Sequence, residues 1–79
     1  MKLIIAIIPY EKSANLITQL VSKKFQATEL VSAGGVLKKS GATILVGLED
    51  ERVDEALGLI RGTPGSTAFV TSVERFEKV

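Results

Sequence analysis

Two hydrophobic periods divide this chain. Leu3–Ile8 is continuously apolar and rich in β-branched residues, as expected of a strand covered on both faces. Pro9 ends it. Ser13 then suits a helix N-cap. Leu16, Ile17, Leu20 and Val21 recur at helical spacing, with Asn15, Thr18, Gln19 and Ser22 on the opposite side. Lys23-Lys24 places positive charge at the favourable end of the helix dipole, so the pattern predicts a helix from about Ala14 to Lys24. In Phe25–Ala33, Thr28, Leu30 and Ser32 alternate with Glu29, Val31 and Ala33, which predicts a half-buried strand. Ala42–Leu48 is again nearly continuous in apolar character, a second central strand. Glu49-Asp50-Glu51 puts negative charge at the start of a second helix, whose stripe is Val53, Ala56, Leu57 and Ile60. Capping explains that acidic trio better than a metal site does. Gly62 and Pro64 stop the helix, Thr67–Val73 is the last strand, and residues 75–79 form a tail.

The order βαββαβ predicts one α+β domain over residues 1–79, a ferredoxin-like sandwich of a four-stranded antiparallel sheet with two helices on one face. That topology centres the first and third strands, the two runs with the most continuous apolar character. Two helices cover one face of such a sheet, so the other apolar face must meet something. A second copy of the chain is the simplest cover, and an oligomer is expected.

Composition narrows the chemistry. There is no Cys, so disulfides and thiolate metal sites are excluded, and no His, which removes the commonest metal ligand and general base. Hydrolytic triads therefore have no base, no metal or cofactor is expected, and the chain reads as a non-enzyme. Ten Lys+Arg against nine Asp+Glu leave a net charge of +1 without a basic block, which argues against a nucleic-acid polymer as partner. Neither central strand carries the aromatics with which RNA-recognition modules stack bases. The apolar start is followed by Pro9-Tyr10-Glu11-Lys12 rather than a small-residue cleavage site, so it reads as a buried strand of a cytoplasmic protein with no membrane segment.

The chain is organised around the stretch from Ala27 to Gly47. Gly34-Gly35 stands at one end of its central segment and Ser40-Gly41 at the other, with Val36-Leu37-Lys38-Lys39 between. Glycine tolerates positive φ, so these points turn the chain or admit a close approach. The segment reads either as a hairpin connection with a solvated lysine tip or as a loop whose bare N–H groups and lysines hold an anion. Both can hold.

The opening MKLIIAI, the run KKFQATELVSAGGVLKKSGATILVGLEDERVDEALGLI and the closing GSTAFVTSVERF resemble the PII-like cyclic di-AMP receptor family of Gram-positive bacteria. The most specific matches are Ala27-Thr28, Gly34-Gly35 with Leu37, Thr43 with Gly47, the run Asp50–Glu55, and Phe69. The resemblance implies a homotrimer that binds cyclic di-AMP in clefts between subunits and relays the signal to a protein partner. It implies that Gln26, Ala27 and Thr28 contact the ligand from the second strand. Gly34, Gly35 and Leu37 would shape the loop above it, Gly47 would let an adenine approach the third strand, Phe69 would line the base pocket, and Val36, Gly41 and Lys78 stand at further ligand-binding positions. Lys24, Lys38 and Lys78 are candidate cations for the phosphates. Core packing is the competing role for Phe69, since aromatics are usually buried, and close strand packing or a bulge is the competing role for Gly47.

Several positions depart from the family pattern. Gln26 stands where the family has Arg, Lys24 where it has Asn, Val36 where it has Phe, Gly41 where it has Asn and Lys78 where it has Gln. The family's long insertion after the second helix is reduced to Arg61–Thr67. A guanidinium grips phosphate with a bidentate fork that a carboxamide lacks, and a lost aromatic face removes about 1–3 kcal/mol per stacked base. Another nucleotide or a small anion as ligand, or a trimeric interaction module that binds no cyclic dinucleotide, is the alternative.

Overall fold

The computed structural model describes residues 1–30, 41–75 and 77. Its strands are β1 (Lys2–Ile8), β2 (Gln26–Leu30), β3 (Ala42–Leu48) and β4 (Thr67–Ser72). The helices are α1 (Ser13–Ser22) and α2 (Val53–Arg61), each entered through a single 3-10 turn, at Tyr10–Lys12 and Asp50–Arg52. The sheet order is β2-β3-β1-β4 with every neighbouring pair antiparallel. The βαββαβ order and the central placement of the two apolar strands are as expected.

Alternation along each strand sorts the apolar residues between two faces. Ile4, Ala6 and Ile8 of β1 and Ala42, Ile44, Val46 and Leu48 of β3 are buried with Leu16 and Leu20 of α1 and Ala56 and Ile60 of α2. Each buried Ile or Leu contributes about 1.5–3 kcal/mol of transfer free energy, so this layer carries the fold. The intervening residues Leu3, Ile5, Ile7 and Leu45 lie on the face away from the helices. Leu30 and Phe69 join them by register, and they are 51% and 56% exposed.

Local differences from the expected elements have identifiable causes. α1 begins at Ser13 and ends at Ser22. Ser13 is a buried first helical residue rather than an N-cap, because its hydroxyl donates back to the Tyr10 carbonyl at 2.9 Å. Val21 is 56% exposed, so the buried stripe of α1 narrows to Leu16 and Leu20 with Ile17 packed against them. The helix closes with Lys24 at φ 67°: the Lys24 N–H reaches the Val21 carbonyl and the Phe25 N–H reaches the Leu20 carbonyl, at 2.9 and 3.0 Å. This is a Schellman closure with lysine where glycine is usual. Among the described residues β2 spans five residues, and the expected continuation through Val31–Ala33 lies outside them. β4 ends at Ser72.

Candidate functional site

One end of the open face gathers several of the sequence-predicted residues. The pairings Gln26↔Gly47 and Leu3↔Gly47 place β2, β3 and β1 side by side there, with Thr28 opposite Leu45 one step further along. Gln26, Thr28, Leu45, Gly47 and Leu3 line a concavity of about 290 Å³ together with Met1, Lys2 and Val73. Around the end of the sheet a second concavity of about 260 Å³ shares Met1, Gln26 and Gly47 with the first, and adds Lys24, Phe25, Leu48, Glu49 and Arg52. Specific ligand pockets run from about 300 to 1,000 Å³, so each hollow alone is at or below the small end.

Gly47 is the telling position. Among the described residues, a Cβ built there meets nothing within 4 Å. A strand interior normally disfavours glycine, and among the described residues no neighbouring atom requires one at this position. Gly41 is the contrast: its φ is +129°, and a Cβ would sit 2.8 Å from the Ile8 carbonyl oxygen, so local backbone geometry accounts for that glycine.

The remaining predicted residues are dispersed. Ala27 alternates to the helix side and packs against the core. Phe69 is not core, but it sits on β4 at the opposite edge of the sheet. The register runs Thr28↔Leu45, Leu45↔Ile5 and Ile5↔Phe69, so three strand spacings of ~4.8 Å, about 14 Å, separate Phe69 from the β2 edge. A single copy therefore cannot close Phe69 over Gln26 and Gly47. Gly34, Gly35, Val36, Leu37, Lys38 and Lys78 lie outside the described residues. A further hollow of about 480 Å³ lies between α2 and β4, against Ile60, Arg61, Pro64 and Val70, away from this cluster.

Comparison with known proteins decides the family. A family model described as "Cyclic-di-AMP receptor" matches residues 1–64. The chain belongs to the cyclic-di-AMP receptor family. This is a family of receptors rather than enzymes, and its name denotes cyclic di-AMP as the ligand. A crystal structure of a functionally unknown protein from Pediococcus pentosaceus ATCC 25745 has the same fold, with a TM-score of 0.83 and 29% identity, covering 99% of this chain and 96% of that one. Among the described residues no helix of this receptor-family member is long and apolar enough to cross a membrane.

One contributor to the charge at this end of the sheet is a residue that the sequence analysis placed in the run Asp50–Glu55 without a site role. Arg52, in the turn entering α2, lies with its guanidinium carbon 3.8 Å from the centroid of the Phe25 ring. Its Nη2 donates to the Lys23 carbonyl at 2.8 Å, and its Nε and Nη2 donate to Glu55 Oε1 at 3.2 and 3.1 Å. The spacing of Arg52 and Glu55, i and i+3 at a helix start, was the available signal. The link to Lys23, 29 residues away, had none. Beside this cluster the Met1 ammonium lies 3.1 Å from the Asp50 carboxylate. Its hydrogen bond is the main cause holding the Asp50 carboxyl below the ordinary value of 3.8.

Proposed function

We propose that this protein is a signalling receptor that binds cyclic di-AMP in clefts between the subunits of a homotrimer, passes the bound state to a protein partner, and catalyses no reaction of its own. The observation that carries the reading is the vacant space at Gly47 on a face shared with Gln26 and Thr28. Among the described residues nothing fills that space, which suits a ligand from outside the chain in a member of a cyclic-di-AMP receptor family. The distance to Phe69 supports a site between copies, since the aromatic face must come from a neighbour. The exposed apolar row of Ile7, Leu30 and Phe69 supports the assembly itself, because such a surface is stabilised by being covered. Ala27 would act from behind as packing, while Gly34, Gly35, Val36, Leu37, Gly41 and Lys78 would complete the cleft as the resemblance implies. A cytoplasmic location fits a nucleotide messenger.

One feature favours a second reading, an interaction module that binds no cyclic dinucleotide. Gln26 lines both hollows with a carboxamide where a guanidinium would grip phosphate. Titration calorimetry separates the two. The parent is expected to bind three molecules of cyclic di-AMP per trimer without turnover, and Gln26→Arg with Val36→Phe is expected to bind more tightly. If neither protein gives saturable heat, the receptor reading falls and the interaction module replaces it.

A further inference from the structure

The second hollow, at the end of the sheet, differs chemically from the one on its face. The face hollow is lined by Leu3, Leu45, Thr28 and Gly47, a surface suited to a flat base. The end hollow is lined by two cationic side chains, Lys24 and Arg52, and one carboxylate, Glu49, with a second carboxylate, Glu55, paired to Arg52. Gln26 and Gly47 border both. A ligand lying over Gly47 with a base on the sheet thus has its polar side next to Arg52.

We infer that Arg52 is the phosphate-binding guanidinium of this protein, reaching the site from the start of α2 in place of an arginine at position 26. Three contacts hold the group before any ligand arrives: the Phe25 ring beneath it, the Lys23 carbonyl, and the Glu55 carboxylate. These use the Nε and Nη2 donors. The two N–H groups on Nη1 have no partner among the described residues. Guanidinium carries five donors in a planar fork, so anchoring one side leaves the other aimed and free to bind. The side chain is 35% exposed, accessible enough to meet an anion and sheltered enough for the charge to count. An anchored donor also loses little side-chain entropy on binding.

This inference rests on the cyclic di-AMP reading for the identity of the phosphate, and the test keeps the two apart. Calorimetry with cyclic di-AMP is run on the parent, Arg52→Gln and Arg52→Lys, each checked for a folded melt. The side-chain Nε–H resonance of Arg52 is followed in the parent. Arg52→Gln is expected to weaken binding at least about tenfold, the loss of one charge-assisted hydrogen bond. Arg52→Lys should fall between, keeping charge without the fork, and the Nε resonance should shift saturably. A folded Arg52→Gln that binds within twofold of the parent would overturn the assignment while leaving the receptor reading intact. So would a resonance that stays still while the amides of Gln26 and Gly47 move. If Arg52→Gln does not fold, the parent's Nε resonance decides. If the parent binds no cyclic di-AMP, the receptor reading has failed by itself, and titration with inorganic pyrophosphate then tests Arg52. A saturable shift there sustains an anion site, and no shift removes it.

Discussion

Gly47 offers a test in which stability and binding should move in opposite directions. Glycine inside a strand is disfavoured relative to alanine by about 0.5–1 kcal/mol, because its unfolded backbone has more freedom to lose. At position 47 an added methyl group meets nothing within 4 Å among the described residues, so no clash with them offsets that gain. Gly47→Ala should therefore stabilise the protein by about 0.5–1 kcal/mol, or ~2–8 °C in Tm for a domain this small. Gly41→Ala should do the reverse, losing about 1–3 kcal/mol, because its φ of +129° and the Ile8 carbonyl at 2.8 Å both resist a side chain. Binding should follow the other order. A methyl at position 47 fills the space where a base would lie, and a disturbed stack of ~1–3 kcal/mol corresponds to about 5- to 160-fold weaker cyclic di-AMP affinity. Gly47→Val, being larger, should abolish it. Urea denaturation at fixed protomer concentration gives the stability, since mass action shifts the apparent value for an oligomer, and calorimetry gives the affinity. A Gly47→Ala protein that is more stable and binds as the parent does would refute the idea that this space is kept for a base. One that is destabilised would mean the space is already occupied without ligand.

Two further perturbations discriminate between parts of the argument. Ile5 lies on the open face and Ile44 is fully buried beneath the helices, so the same charge should act differently at each. Ile5→Lys should yield a folded protein of monomer mass in light scattering, whereas Ile44→Lys should lose its circular dichroism, with a penalty above about 4 kcal/mol. A trimer that survives Ile5→Lys would remove the open face from the interface. Lys24→Gly should relieve the positive φ of 67° and raise stability by about 0.5–1 kcal/mol, while removing one of the cations beside Arg52. An unchanged or lower Tm would show that the Schellman closure is unstrained, and unchanged cyclic di-AMP affinity would take Lys24 out of the site.

Much of the fold could be read from the residues themselves, and the reason is local. Strand or helix periodicity, caps and breakers act within a few positions, so Leu3–Ile8, Leu16–Leu20, Ala42–Leu48 and Val53–Ile60 each declared their element and, together, the βαββαβ order. The resemblance carried by Ala27-Thr28, Gly47 and the Asp50–Glu55 run likewise pointed to the receptor family that the chain belongs to. The two sides of the sheet were a different matter. In a run apolar at every position, alternation leaves no mark, and a shift of one residue would exchange the faces. Only the pairing of β1 with β3 and β4 decided that Ile4 and Ile44 are core while Ile5, Leu45 and Phe69 are not. The site was divided for the same reason. Gln26 and Gly47 meet because β2 and β3 pair, Phe69 is carried to the far edge because β1 intervenes, and Arg52 reaches the end of the sheet because α2 begins against the close of α1. Contacts made across 29 residues depend on how elements pack, and packing is decided by the whole core at once rather than by the neighbours of any one residue.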